Sequence, residues 1–281
     1  MIINCNSTSI NLSQGHVMGV LNVTPDSFYD GGKFMENEKI LTQTKRMLDE
    51  GASFIDIGGA SSRPGSDPVS PKEEIERVIP AISIILKNFP KAVISIDTTS
   101  SEVAEKAVES GAAIVNDISA GTADKRMIEA VASLGVPYIA MHMQGTPKTM
   151  QNKPSYQNVV NDIFAALERF YNRATQLGIE QLIIDPGFGF GKTLSHNYQL
   201  LDQLDKFKSL GCPLLVGVSR KSMIQKVLDV SAENALNGTT VIHTIAAKKG
   251  ASILRVHDVK EAVQVFQLVN YLNQQESTPT T

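Results

Sequence analysis

The chain has 281 residues, 42% of them hydrophobic and 20% charged, and a formal net charge of -3 at pH 7. This is the composition of a globular protein that buries a large core, and the charge argues against a basic, nucleic-acid-binding surface. The two cysteines, Cys5 and Cys212, are too few for a disulfide framework and fit a reducing cytosol. No segment reaches the roughly 18 apolar residues of a membrane span, and the first residues lack a basic head followed by a long apolar stretch. We therefore expect a cytoplasmic protein, with neither nucleic acid nor a membrane as partner.

Eight short apolar runs, rich in β-branched residues, recur along the chain. Each has the length and residue types of a strand that is buried on both faces of a parallel sheet. The runs cover 16–24, 53–59, 92–98, 113–119, 138–144, 181–187, 213–219 and 252–258.

Stretches with helical periodicity lie between these runs. Ser70 and Glu73 form a capping-box signature, with Pro71 at the first helical position. Asp258 and Glu261 open the last helix in a similar way. Other helices are predicted to end at a glycine that adopts a left-handed conformation, and these glycines are Gly51, Gly111, Gly135, Gly178, Gly211 and Gly250.

The order of strand and helix, repeated eight times, predicts a single-domain α/β fold, the (β/α)8 TIM barrel. We expect one domain over 1–281, with the barrel at about 16–273 and a polar tail at 274–281. A doubly wound open sheet is the alternative, although such sheets rarely contain eight evenly alternating units.

The glycine-rich stretch LIIDPGFGFGKT at 182–193 resembles a phosphate-binding loop but departs from its pattern. That pattern needs a glycine at position 186, because backbone N–H groups wrap the phosphate, and Pro186 has none to donate. The spacing of Gly187, Gly189 and Gly191 also fails the dinucleotide pattern. The stretch is better explained as a strand that presents Asp185 at a binding face.

Polar residues follow the predicted strands at the end where a barrel of this kind builds its active site. They are Asn22, the loop GGASSRPGS, Asp97, Asn116, Asp117, His142, Gln144, Asp185, Ser219, Arg220, Lys221, Ser222, Arg255 and His257. Any one aspartate here could simply cap the next helix, and His257 could be structural. Their joint occurrence at one rim predicts a functional pocket.

The types of these polar residues are sorted around the rim. Carboxylates and carboxamides at Asp97, Asn116 and Asp185 accept hydrogen bonds and suit a flat ring rich in N–H donors. Cationic residues suit an anion such as phosphate, and they are Arg63, Arg220, Lys221, Arg255 and His257. The predicted substrate has a donor-rich ring and a negatively charged tail.

Eight motifs in order along nearly the whole chain resemble those of dihydropteroate synthase, the folate-pathway enzyme family that sulfonamide drugs inhibit. The motifs are GVLNVTPDSFYDGG, SSRPG, SIDT, VNDISAG, MHMQGTP, IIDPGFGFGKT, GVSRKSMI and RVHDV. The resemblance implies condensation of 7,8-dihydropterin pyrophosphate with p-aminobenzoate to dihydropteroate and pyrophosphate, with Mg²⁺ as cofactor. It also implies a homodimer formed through the outer helices.

The resemblance further implies three groups of site residues. Asp97, Asn116, Met141, Asp185, Gly217 and Lys221 would hold the pterin. Asn22, Ser62, Arg63, Arg255 and His257 would bind the pyrophosphate, with Asn22 acting through the metal. Phe28, Pro64, Phe190, Lys221 and Ser222 would form the p-aminobenzoate pocket, and Asp97, Lys221 and Arg255 would be catalytic.

These roles imply a mechanism in which the carbon–oxygen bond breaks early. The metal and Arg255 would neutralise the departing pyrophosphate, and Asp97 would favour the pterin cation. The attacking aromatic amine is neutral at pH 7 and needs no strong base. Closure of the loop 23–34 would exclude water and create the second substrate's site.

The second loop departs from the usual family pattern Gly-Glu-Ser-Thr-Arg-Pro-Gly. Here Ala60 replaces the glutamate and Ser62 replaces the threonine. Ser62 keeps a hydroxyl for the anion, whereas Ala60 removes a carboxylate that could order the loops. We expect an effect on loop stability and inhibitor sensitivity rather than on catalysis.

Three other functions compete with this interpretation. A methyltetrahydrofolate corrinoid methyltransferase shares the acceptor side of the pocket but needs neither SSRPG nor the anion site at Arg255 and His257. A degenerate barrel would bind a phosphorylated pterin without releasing pyrophosphate. A purely structural barrel would bind no ligand.

Overall fold

The structure, a computed structural model, describes residues 1–23, 32–60, 69–150 and 152–276. The strands are β1 (Ile2–Cys5), β2 (Thr8–Asn11), β3 (His16–Asn22), β4 (Phe54–Gly58), β5 (Ile94–Asp97), β6 (Ile114–Asp117), β7 (Tyr138–Met141), β8 (Leu182–Asp185), β9 (Leu214–Val216) and β10 (Ala251–Val256). The helices are α1 (Gly32–Asp49), α2 (Pro71–Asn88), α3 (Ser101–Glu109), α4 (Met127–Leu134), α5 (Val159–Gln176), α6 (Leu194–Asp202), α7 (Ser222–Leu228), α8 (Leu236–Lys248) and α9 (Val259–Glu276).

Strands β3 to β10 form a closed parallel barrel in which β10 pairs with β3. Each of the eight predicted apolar runs supplies one barrel strand, so the predicted fold class is confirmed. Helices separate the strands and pack on the outside, where their apolar faces and the outward-facing strand residues form one continuous core. The six glycines predicted to end helices all have positive φ angles.

The structure corrects three details of the helix predictions. Ser70 Oγ accepts a hydrogen bond from Glu73 N, but the Glu73 carboxylate pairs with Arg77 instead of returning to the cap, so the capping box is half formed. Two helices, α7 and α8, follow β9 where the alternation predicts one. The last helix continues to Glu276, three residues into the expected polar tail.

An antiparallel hairpin of β1 and β2 precedes the barrel and was missed by the sequence analysis. Its strands have four residues each, too short for a periodic pattern to stand out. Ile3, Cys5 and Leu12 pack in one buried cluster with residues from the beginnings of the barrel strands, among them Met18 and Ile253. The hairpin therefore closes the end of the barrel opposite the predicted site.

The helices of the described residues include no segment long and apolar enough to cross a membrane.

The closing hairpin yields a stability prediction. Leu12 is 2% exposed in this cluster, so Leu12→Ala should lower the free energy of unfolding by about 2–5 kcal/mol, as for other buried leucines. Leu12 begins the short 3-10 helix that follows β2. Ile2, on β1, is 63% exposed, and Ile2→Ala serves as the matched control. Urea unfolding followed by circular dichroism measures both, and equal, small losses for the two variants would show that the hairpin does not seal the core.

Candidate active site

The register of the barrel brings the first group of predicted polar residues to one level. Asn22 on β3 is aligned with Gly58 on β4, Gly58 with Asp97 on β5, and Asp97 with Asn116 on β6. A Cβ placed on Gly58 would lie 3.5 Å from Asn22 Oδ1 and 3.7 Å from Asp97 Oδ2. Glycine at this position therefore leaves open space between the two oxygen-bearing side chains.

Arg255, on β10, joins this row through the fully buried carboxylate of Asp56 and the partly buried carboxylate of Asp97. Its Nε lies 2.6 Å from Asp56 Oδ2, and its Nη2 lies 2.6 Å from Asp97 Oδ2. Asn116 Nδ2 donates to the same Asp56 oxygen at 3.0 Å. The acceptor side and the cation side that the sequence analysis separated thus meet through direct ion pairs at the centre of the barrel.

Burial shapes the charges in this network. It raises the pKa of Asp97 to about 7, an effect that Arg255 opposes and that Asp56 and Glu74 reinforce. Desolvation acts to lower the pKa of Arg255, but Asp56 and Asp97 outweigh it and raise that pKa. Arg255 therefore stays protonated, whereas the negative charge of Asp97 is unfavourable in its desolvated position.

Asp56 was not among the predicted site residues. It is fully buried, and its Oδ1 has no hydrogen-bond partner among the described residues. One feature of the sequence could have pointed to Asp56, namely that it is an acidic residue inside the apolar run FIDIG. Such a residue is unexpected in a buried strand unless its charge is paired.

Asp185 and Lys221 lie on the other side of the pocket, where their charges attract each other. Asp185 is 6% exposed, and its Oδ1 accepts a hydrogen bond of 2.7 Å from Gly187 N. Burial raises its pKa, and Lys221 opposes the rise. Lys221 Nζ donates to Phe188 O at 2.6 Å and lies 4.6 Å from the centre of the Phe190 ring, a cation–π contact.

Met141 and Gly217, the two other residues predicted to bind the pterin on this side, lie beside this pair. Met141 is 3% exposed and is aligned with Asp185 across β7 and β8. A Cβ on Gly217 would lie 3.9 Å from Lys221 Nζ and 3.8 Å from Arg255 Cβ. The structure thus brings the six predicted pterin residues to the same end of the barrel.

The glycine-rich stretch after β8 packs on protein backbone. A Cβ on Gly187 would lie 2.0 Å from His142 O, and one on Gly191 would lie 2.4 Å from Gln144 O. Lys192 is 3% exposed, and its ammonium donates to carbonyl oxygens of the loop rather than facing solvent. This geometry agrees with the interpretation that the stretch is not a phosphate-binding loop.

His257 and Ser222 lie at the predicted anion and p-aminobenzoate sides and are exposed. Ser219 Oγ orients His257 through contacts of 3.2 Å to its backbone N and 3.1 Å to Nδ1. Its partly desolvated setting and the nearby Arg255 cation lower the pKa of His257.

Arg220 departs from the predicted anion site. Its Nε and Nη2 both lie 2.8 Å from the Asp258 carboxylate, and its Nη1 donates to Ala232 O and Glu233 O. Its guanidinium ties the segment after β9 to the segment after β10. Including Arg220 among the anion-binding cations was therefore wrong, because proximity in sequence to Lys221 does not set side-chain direction.

Asp117 has a structural role, although it does not cap the next helix, whose N-cap is Arg126. Its oxygens accept from Ser119 N and Oγ, Gly121 N and Tyr138 Oη, all within 2.7 Å. It therefore shapes the turn after β6, next to the pocket. The predicted residues Phe28, Ser62, Arg63 and Pro64 lie outside the described residues.

Residues 18–257 match the family model described as pterin binding enzyme. The chain therefore belongs to the family of pterin-binding enzymes, which fits a barrel with carboxylates and a carboxamide gathered at one rim.

Individual relatives within this family specify the activity. The Escherichia coli (strain K12) dihydropteroate synthase is 47% identical over 268 residues, which cover 93% of each chain. A crystal structure of the Yersinia pestis dihydropteroate synthase in a sulfonamide drug complex matches with a TM-score of 0.91 at 42% identity, covering 98% of this chain and 100% of that one. The Xanthomonas albilineans dihydropteroate synthase in complex with 7,8-dihydropteroate matches with a TM-score of 0.87 at 35% identity, over 99% and 100%. Within the pterin-binding enzymes, the chain belongs to the dihydropteroate synthases of folate biosynthesis.

Glu74, another residue missed by the sequence analysis, yields a pH prediction. It is 5% exposed, and its Oε1 has no partner in the described part of the chain. Burial raises its pKa from 4.5 to about 7, while Thr98 and Arg77 oppose the rise. The native state therefore binds more protons than the unfolded state between pH 4.5 and pH 7, and this contribution to stability is lost as the pH rises through that window.

Glu74→Gln should remove this loss, because glutamine does not titrate. We expect the difference in melting temperature, variant minus wild type, to be more positive at pH 8 than at pH 5. Glu73→Gln, which alters an exposed neighbour on the same helix turn, is the control. A Glu74→Gln difference that stays constant across the two pH values would contradict the assigned cause.

Proposed function

We propose that this enzyme joins 7,8-dihydropterin pyrophosphate (6-hydroxymethyl-7,8-dihydropterin diphosphate) to p-aminobenzoate. The observation that carries the proposal is the rim arrangement, in which Asn22, Asp97 and Asn116 stand at one level with Asp185 and Lys221 opposite. Carboxylate and carboxamide oxygens suit the N–H groups of a pterin ring. The 7,8-dihydropteroate complex of the Xanthomonas albilineans relative supports the same chemistry.

In the proposed reaction, the bond between the methylene carbon of the pterin and the pyrophosphate oxygen breaks, and pyrophosphate leaves with the electron pair. The amine nitrogen of p-aminobenzoate then forms a bond to that carbon and loses one proton to solvent or pyrophosphate. Early cleavage places positive charge on the pterin, which the Asp97 carboxylate would stabilise at short range. We propose that the first step precedes attack by the amine.

The remaining roles rest on the family resemblance, and Phe28, Ser62, Arg63 and Pro64 lie outside the described residues. The pterin would contact Asp97, Asn116, Met141, Asp185, Gly217 and Lys221. The pyrophosphate would contact Asn22, Ser62, Arg63, Arg255 and His257. The p-aminobenzoate would contact Phe28, Pro64, Phe190, Lys221 and Ser222.

Arg255 can serve the pyrophosphate while it remains paired. Its contacts to Asp56 and Asp97 use two of the five N–H donors of a guanidinium. Among the described residues the other donors have no partner, and we propose that they bind an anion that arrives from the open end of the barrel. The two carboxylates also fix the guanidinium plane, so little side-chain entropy is lost when the anion binds.

We propose Mg²⁺ as the cofactor, held by the Asn22 amide oxygen and by the pyrophosphate. Mg²⁺ prefers oxygen ligands and is usually bound by one or two protein groups together with substrate phosphates. Asn22 is exposed at the end of β3 and fits that donor set, and the described residues contain no cluster of three acidic, histidine or cysteine ligands. When bound, the ion would neutralise charge on the leaving group.

We also propose that the chain is a single domain in the cytoplasm and that it forms a homodimer. One closed barrel supports the first point, and two buried, unpaired cysteines fit a reducing compartment. Large apolar side chains on the outer helices α7 to α9 support the dimer, because soluble monomers rarely expose many of them together. They are Val227, Leu228, Val241, Ile245, Leu268, Tyr271 and Leu272.

The proposed function is tested by measuring pyrophosphate release and dihydropteroate formation with both substrates and Mg²⁺, each omitted in turn. We expect product only when all three are present. Pterin binding without release would favour a binding protein and would direct attention to Ala60. Turnover that is unaffected by chelation of Mg²⁺ would contradict the proposed metal.

Substitution of Asp185 tests the pterin assignment. Asp185→Asn should weaken binding of the bare pterin about tenfold or more, because one buried acceptor is replaced by a group that also presents donors. Asp117→Asn is the matched control, since Asp117 is also a buried carboxylate at a strand end but caps its own turn. Calorimetry should show the affinity loss for Asp185→Asn alone, and equal losses for both would remove Asp185 from the site.

A further inference from the structure

Lys192 is a buried cation whose surroundings the proposed chemistry does not explain. Its Nζ lies 2.7 Å from Gly187 O and 3.0 Å from Phe190 O, both in the loop that follows β8. It also lies 3.3 Å from His142 O and 3.2 Å from His142 Nδ1, in the segment that follows β7. An ammonium has three N–H donors, and these acceptors use all of them.

The acceptors surround the ammonium from two segments of chain. Burial lowers the pKa of His142 to about 3, so its ring is neutral and Nδ1 can accept a hydrogen bond. Desolvation also lowers the pKa of Lys192 to about 7, which Asp185 opposes. A buried ammonium is costly unless its donors are satisfied, so the cage of acceptors holds the lysine and the two segments together.

The loop that Lys192 closes carries both contacts of Lys221. The carbonyl of Phe188 accepts from Lys221 Nζ, and the ring of Phe190 lies beneath it. Both residues lie between Gly187 and Lys192, and two of the Lys192 bonds end on Gly187 and Phe190. A change in the shape of this loop would therefore move the partners that fix Lys221.

The backbone of this loop needs such a restraint. Gly187, Gly189 and Gly191 all have positive φ angles, which glycine adopts freely in the unfolded chain as well as in the native one. Asn197 Oδ1 holds the middle of the loop by accepting from Gly189 N at 2.7 Å. Lys192 donates to the carbonyls of Gly187 and Phe190, which lie on either side of Gly189.

We propose that Lys192 is a positioning residue for the synthase reaction, which holds the loop 186–191 so that Lys221 is directed at the pterin opposite Asp185. Lys192 acts through Lys221 and Phe190 and does not touch the substrates. This inference rests on the proposed function for the site. The effect of Lys192 on the position of Lys221, however, can be measured without any substrate.

A double-mutant cycle tests the proposal. Lys192→Met keeps the length and removes the donors, and it should weaken pterin binding at least tenfold by calorimetry in the otherwise wild-type enzyme. In a Lys221→Met background the same substitution should change binding less than about threefold, because its effect runs through Lys221. Lys249→Met is the control, because Lys249 donates a hydrogen bond to the carbonyl of Asp202 at the opposite end of the barrel. It should leave pterin binding unchanged in both backgrounds.

A second readout does not depend on substrate. Acetylation of Lys221 by acetic anhydride, quantified by peptide mass spectrometry, should be severalfold faster in Lys192→Met than in wild type, because the contact to Phe188 O loosens. If wild type binds no pterin, the proposed function fails, while a changed acetylation rate would still support the positioning of Lys221.

Three results would overturn the inference. The first is a folded Lys192→Met variant with unchanged pterin affinity and an unchanged acetylation rate of Lys221. The second is an equal loss of pterin affinity from Lys192→Met in the wild-type and Lys221→Met backgrounds. The third is failure of both Lys192→Met and Lys192→Gln to fold while Lys249→Met folds. The last result would show that Lys192 serves the fold alone.

Discussion

Closure of the barrel is the constraint on which the site depends. When β10 pairs with β3, Arg255 on the last strand reaches the carboxylates of Asp56 and Asp97 on the second and third barrel strands. Each of these charges would be costly if buried alone, and removing one partner of such a pair is more damaging than the pair is stabilising. The polar centre of the site therefore exists only in the closed barrel, and the identities of the three residues depend on one another.

The opposite side of the pocket is built differently, from backbone rather than from ion pairs. Lys221 is fixed by the carbonyl of Phe188 and the face of Phe190, and these belong to a glycine-rich loop packed against the segment after β7. Carbonyl dipoles stabilise a cation without adding a full opposite charge. The Asp185 carboxylate on this side accepts a hydrogen bond from the backbone of Gly187, whereas the Asp97 carboxylate is paired with Arg255.

Most of the fold could be predicted from the sequence because each barrel strand is an apolar run followed by a helical pattern. The gathering of polar residues at one rim could be predicted for the same reason, since parallel strands deliver their ends to one rim. Asp56 could not, because its position within the run FIDIG resembles a core position and its pairing depends on Arg255, distant in sequence. The direction of Arg220 also required coordinates, since three adjacent residues at 219–221 point to three different partners.

The hairpin at the beginning of the chain has a consequence for biosynthesis. Ile3 and Leu12 leave the ribosome well before Ile253 of the last barrel strand, yet all three residues belong to the same cluster. Their apolar surface therefore stays without its final partners until the last barrel strand has emerged, which is the interval when aggregation or chaperone capture competes with folding. The thiol of Cys5 lies in the same cluster, so its protection from a thiol reagent would mark the moment at which the newly made barrel is sealed.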